Sequence, residues 1–134
     1  MSGARRRVAG NSPWEPLVGY CRAVRQGPHV FVAGTTATDA EGRIVGPGDA
    51  YAQARQALRN IEAALGEAGA TLADVVRTRM YITDIADAGA VGRAHAEAFA
   101  TVRPAATMVQ VAGLIDPAMR VEIEVDALVE DAPS

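Results

Sequence analysis

Arg103-Pro104-Ala105-Ala106-Thr107-Met108-Val109-Gln110-Val111-Ala112 and, after a short interval, Arg120-Val121-Glu122-Ile123-Glu124-Val125-Asp126-Ala127 are the segments whose reading decides the fold. In the second, Val121, Ile123, Val125 and Ala127 alternate with Arg120, Glu122, Glu124 and Asp126, the period of a strand with one buried and one open face. Three carboxylates then stand in a row on the open face, which is unfavourable unless cationic side chains lie alongside or water solvates them. In the first segment Pro104 disfavours the helical region for the residue before it, so Arg103 is expected to be extended and to launch another strand.

Upstream, a helix is expected from Asp87 to about Ala100, with Val91, Ala94, His95, Ala98 and Phe99 on its inner stripe. Before it runs a strand with Val76, Thr78, Met80 and Ile82 on one face and Val75, Arg77, Arg79, Tyr81 and Thr83 on the other. A longer helix is read from Asp49, its N-cap, to about Glu67, with Ala54, Ala57, Leu58, Ile61, Ala64 and Leu65 at three- and four-residue steps and Gly69 beyond its end. Tyr20 to Gln26 and His29 to Ala33, joined by Gly27-Pro28, read as a β-hairpin. Asn11 to Pro16, with two prolines, reads as a loop, and residues 1–7 and 131–134 are expected to be loose. Strands with two helices that each bury one stripe make a two-layer α+β domain.

The 134 residues, 49% hydrophobic, suit a single domain over 1–134 with a real core. A net charge of −3 offers no field for nucleic acid, and Arg5-Arg6-Arg7 is the only basic run. All 13 basic residues are arginine, so no lysine can form a Schiff base. Cys21 is the single cysteine, which rules out an intrachain disulfide and a multi-cysteine metal site. His29 and His95 are the only histidines, and neither a metal nor another cofactor is expected. No stretch approaches the roughly 20 apolar residues of a membrane span, and a cytoplasmic protein is expected.

The two C-terminal segments, together with His29-Val30-Phe31-Val32-Ala33-Gly34-Thr35-Thr36, the helix from Tyr51 to Ile61 and the strand from Asp74 to Asp84, occur in the order and spacing of the Rid family. Over nearly its whole length the chain resembles these reactive intermediate deaminases, also called YjgF-like proteins. The resemblance implies a chorismate-mutase-like fold, a mixed six-stranded sheet with two helices on one face. It also implies a homotrimer with ligand clefts between adjacent subunits, and places Arg77 and Arg79 beside the Glu122, Glu124 and Asp126 row. Family members that hydrolyse imines read Pro-Ala-Arg-Ser/Thr where this chain has Pro104-Ala105-Ala106-Thr107, and that arginine binds the substrate carboxylate. Ala106 cannot, and losing a buried bidentate contact of this kind is expected to weaken binding by about 2–5 kcal/mol.

By the same resemblance Glu122 matches the glutamate that positions the attacking water and is the candidate catalytic residue, while Tyr20, Gly34, Thr35, Ala106 and Thr107 match substrate-binding positions. His95 is added because the corresponding helix face borders the cleft. Each has a structural alternative: Glu122 in an ion-pair network, Tyr20 as a packed aromatic, Thr107 as an ordinary strand residue, His95 as a satisfied core histidine. Arg79, Arg103 and Arg120 are the arginines considered as a relocated clamp. The expected function is binding of a small metabolite between subunits, with hydrolysis of an enamine or imine that carries no carboxylate at the usual position. The alternatives are a non-catalytic ligand- or partner-binding trimer and an endoribonuclease or translation inhibitor, the last opposed by the negative charge and the lack of aromatic-basic clusters.

Overall fold

The computed structural model describes residues 4–130. Its strands are β1 (Arg5–Val8), β2 (Ala23–Gln26), β3 (His29–Thr35), β4 (Val75–Ile82), β5 (Ala105–Gln110) and β6 (Val121–Leu128), and its helices are α1 (Ala50–Glu67) and α2 (Ala88–Phe99). They form one sheet in the order β1-β2-β3-β6-β4-β5, antiparallel except for the β4–β5 pair. The parallel pair is the one joined through a helix, as a crossover requires. Both helices cover one face, where Val30, Val32, Met80, Ile82, Val121, Ile123 and Val125 meet Ala54, Ala57, Leu58, Ile61, Leu65 and Val91 in the core. The mixed six-stranded sheet under two helices is the architecture expected from the sequence.

Local chemistry sets the ends of α1. The Asp49 side chain accepts from Ala52 N at 3.0 Å, and Gly69, at φ +80°, takes the left-handed conformation that lets the chain leave the helix. Two arginines from neighbouring strands complete that end: Arg6 donates to the Glu67 carbonyl at 2.8 Å and Arg25 to the Ala68 carbonyl at 2.9 Å. Cations at the carbonyl end of a helix satisfy its unpaired acceptors and oppose its dipole. The expectation of a loose segment up to residue 7 is therefore corrected for Arg5–Arg7, which pair with β2; the expectation for 1–3 and 131–134 lies outside the described residues.

Four further expectations change. A bulge in β4 between Val75 and Arg77 puts Val75 in the core and leaves Val76 half exposed, the reverse of the simple alternation, whereas Thr78, Met80 and Ile82 point inward as read. Glu15–Gly19 forms a short π-helical turn that starts in the stretch read as loop and runs past it, and the hairpin begins at Ala23 rather than Tyr20. Arg103 is not extended but left-handed, at φ +54°, because its amide still donates to the Phe99 carbonyl at 2.9 Å and closes α2 before Pro104 starts β5.

Candidate functional site

Where β3 ends and β6 begins, the sheet opens into a cleft of about 660 Å³, within the size range of small-molecule sites. Its floor is Gly34 and Glu122 on the sheet face that the helices leave open, and its walls are the 11–20 segment, the 36–44 loop and the 115–119 turn. Buried and half-buried polar side chains hold these walls. Glu15 accepts from Gly10 N at 2.9 Å and Ser12 N at 3.3 Å, fixing the entry to the π-turn. From α1, Asn60 donates to the Thr36 carbonyl at 3.1 Å and the Thr38 carbonyl at 2.9 Å. Gln53, fully buried, donates to the carbonyls of Gly46 and Ala118 and accepts from Arg120 N at 2.8 Å, so one amide ties two loops to the helix.

The three carboxylates of β6 have different partners. Asp126 and Glu124 lie 3.4 and 3.6 Å from Arg79 Nη1, and the Tyr81 hydroxyl donates to Glu124. That bond pushes the Tyr81 hydroxyl pKa up. Glu122 takes part in no hydrogen bond or ion pair among the described residues and faces the cleft. Burial raises its pKa above the ordinary 4.5; the nearby Arg22 cation pulls it down and the Glu124 charge pushes it up. Its carboxylate fits because residue 34 is glycine: a methyl group there would overlap Glu122 Oε2 and come within 2.9 Å of Cδ. β3 is irregular between Val32 and Thr35, so Gly34 turns to the cleft while Thr35 is buried, its Oγ1 donating to the Ala33 carbonyl at 2.7 Å.

Of the residues singled out in the sequence, the structure brings together Tyr20, Gly34 and Glu122. Ala106 and Thr107 are exposed on the edge strand β5, with β4 between them and β6. His95 is half-buried on the helix side, its Nε2 2.8 Å from Thr78 Oγ1 and its ring tilted against Phe99, with its pKa lowered by burial. That is the satisfied core arrangement, away from the cleft. Cys21 is half-buried, with its Sγ 3.4 Å from the Ala23 carbonyl. Among the described residues no three histidine, cysteine or carboxylate side chains gather as a metal site would require, and no helix is long and apolar enough to cross a membrane.

The family described as endoribonuclease L-PSP matches residues 10–129, a span that contains both helices, five of the six strands and the whole cleft. The chain belongs to the Rid family. A crystal structure of a YjgF/YER057c/UK114-family member from Mycobacterium tuberculosis is 55% identical and superposes with a TM-score of 0.86 over 94% of this chain and 100% of that one. An uncharacterised protein of Streptomyces coelicolor is 44% identical over 94% of this chain and 93% of its own. The 3-aminoacrylate deaminase RutC of Acinetobacter baylyi is 38% identical over 81% of this chain and 85% of its own.

Within this Rid-family chain the arginines considered as a relocated clamp are engaged or remote. Arg79 serves Glu124 and Asp126, Arg120 grips Asp87 through a two-pronged contact at 3.0 and 3.2 Å, and Arg103 is exposed beyond α2. The arginine that does line the cleft beside Glu122 is Arg22, which the sequence analysis passed over. Nothing in its local sequence marks it, since it precedes β2 and meets Glu122 only after β3 and β6 pair. Gln53 and Asn60 were missed for the same reason: on α1 they are polar residues among others until the loops fold back on them.

Proposed function

We propose that the protein is a deaminase-type hydrolase that adds water to the C=N carbon of a small imine, or of an enamine through its imine form, with Glu122 as general base. The observation that carries this reading is the unpaired Glu122 carboxylate facing the cleft, while Arg79 is taken by Glu124 and Asp126. A purely structural ion-pair role for Glu122 would have placed Arg77 or Arg79 on it. A carboxylate whose pKa burial raises is better matched to proton transfer near neutral pH.

In the proposed step Glu122 takes a proton from water as the oxygen bonds to the imine carbon, and the π pair moves to nitrogen, which receives that proton back from Glu122. The carbinolamine then passes its hydroxyl proton to nitrogen through Glu122 as the C–N bond breaks, which releases a carbonyl compound and ammonia. The balance requires neither metal nor cofactor. The deaminase activity in the name of the RutC relative supports a reaction of this class.

The protein is further proposed to act as the homotrimer implied by its family. β5 is an edge strand, and within one chain Ala106 and Thr107 lie too far along the sheet to line the cleft. A second copy can bring them to it.

Ammonia release from 2-imino acids made in situ by an amino-acid oxidase tests the base. It is measured for the wild type, Ala106→Arg, and each combined with Glu122→Gln. Glu122→Gln is expected to lower every catalysed rate by about 10²-fold or more. Unchanged rates in both backgrounds would remove Glu122 from the mechanism.

A further inference from the structure

The cleft contains a cation that the reading above does not use. Arg22 lies along its wall, half-buried, with its guanidinium carbon 5.6 Å from the centre of the Tyr20 ring and Nη2 donating to the Gly34 carbonyl at 3.0 Å. Its Nε is buried and has no hydrogen-bond partner. That atom is closed to the cleft, so an anion there would be met by the Nη atoms at the end of the guanidinium. The guanidinium is close enough to Glu122 to lower its pKa, yet the two are not ion-paired. The gap between them opens to the cleft.

The other charged groups there are less suited to hold an anion. Arg43 is exposed at the rim, and Asp116 accepts from Ala118 N at 2.8 Å within its own turn. The cleft walls also carry Trp14, Val18, Ile44, Ile115 and Met119, of which Trp14, Val18 and Ile115 are exposed. Exposed apolar side chains lining a cleft are suited to cover an apolar group on a ligand.

We propose that Arg22 is the anion anchor of this cleft, taking over within one chain the task that Ala106 cannot perform, and that the apolar side chains of Trp14, Val18 and Ile115 select substrates with a bulky apolar group. The substrate class is then an imine bearing both a carboxylate and a branched or aromatic side chain. This rests on the Glu122 reading above. It also gives Arg22 a positioning effect: a bound carboxylate offsets the cation that lowers the Glu122 pKa and leaves the base stronger once substrate is in place.

Trp14, the only tryptophan, lines the cleft and serves as the reporter. Its fluorescence is followed while the wild type, Arg22→Gln and Arg22→Lys are titrated with 4-methyl-2-oxopentanoate, its methyl ester and pyruvate. These are product-like 2-oxo compounds that differ in charge and bulk. The wild type is expected to bind the acid about tenfold or more tighter than the ester and than pyruvate. Arg22→Gln is expected to bind the ester as the wild type does and to lose the preference for the acid. Arg22→Lys should keep part of it, as a point charge without the planar fork.

A wild type with no acid-over-ester preference would overturn the proposal without recourse to any variant, as would an unchanged preference in Arg22→Gln. If Glu122→Gln stops turnover while Arg22→Gln leaves KM for the 2-imino acid as in the wild type, the anchor falls and the hydrolase reading stands. If Arg22→Gln removes the acid preference while Glu122→Gln leaves turnover intact, the anchor stands and the base assignment falls.

Discussion

Two ends of one strand face treat the same functional group differently. Toward the C-terminal end of β6, Glu124 and Asp126 are drawn to Arg79 and Tyr81 and form a polar network. Near its N-terminal end, only two residues away, Glu122 lies over a glycine of β3 and faces a cleft, where burial raises its pKa. Residue type and strand position do not distinguish the three carboxylates. The neighbouring strand does: β4 offers a cation and a phenol, whereas the β3 irregularity offers an open backbone. The lesson is that alternation identifies which side chains share a face, but the partner strand decides which of them is free to react.

The largest effect that would break this contrast is expected at Gly34. Gly34→Leu would place a branched side chain where the Glu122 carboxylate lies, displacing it and filling the cleft floor, with loss of imine hydrolysis of about 10²-fold or more. Overpacking of this kind also destabilises by about 1–3 kcal/mol, which a urea titration would read. Wild-type rates in Gly34→Leu would show that the Glu122 position is not important.

Arg79→Ala sharpens the contrast from the other end. Its partners are partly exposed, so the ion pairs contribute little, and a loss of about 0–1 kcal/mol is expected in urea denaturation, discounted for screening by solvent. Hydrolysis per folded active site should stay within about twofold, a surface change being close to neutral. A collapse of activity in Arg79→Ala would mean that the network forms part of the reacting site.

The pH dependence of stability separates the two ends again. A carboxylate whose pKa is raised in the folded protein contributes stability that is fully present below its unfolded value and is lost as pH rises through the folded value. Glu122 is that case, so Glu122→Gln, neutral at every pH, should unfold at a higher temperature than the wild type above that window and gain no such advantage below it. Thermal melts across pH 4 to 8 check the sign, and an equal or lower midpoint for Glu122→Gln at pH 8 would reverse it. Tyr81→Phe, the smallest change, removes one partly buried hydrogen bond to Glu124 and should lower stability by about 0.5–1.5 kcal/mol in urea with no change in imine hydrolysis.

Much of the scaffold could be read from local signals. The Asp49 cap and Gly69 bracket α1, Gly27-Pro28 joins β2 to β3, and the alternation of 121–127 marks β6 as half-buried. What escaped depends on contacts distant in sequence. The bulge that exchanges Val75 and Val76 arises from pairing with β6, and the left-handed Arg103 from α2 extending one residue into a pre-proline position. Three of the seven residues named for the site, Tyr20, Gly34 and Glu122, meet in the cleft. Ala106 and Thr107 sit on an edge where only another copy could bring them into play, and His95 is satisfied by Thr78. Arg22 carries no local mark at all, because its meaning comes from a carboxylate a hundred residues later.

The most direct measurement is the pH dependence of kcat/KM for imine hydrolysis in the wild type and in Glu124→Gln. With Glu122 as the base, the wild-type acid limb lies above the ordinary glutamate value of 4.5, and Glu124→Gln, by removing a neighbouring negative charge, moves that limb downward while preserving the plateau rate. An acid limb at the ordinary value, or a plateau lost in Glu124→Gln, would contradict the assignment of chemistry to Glu122 and of structure to Glu124.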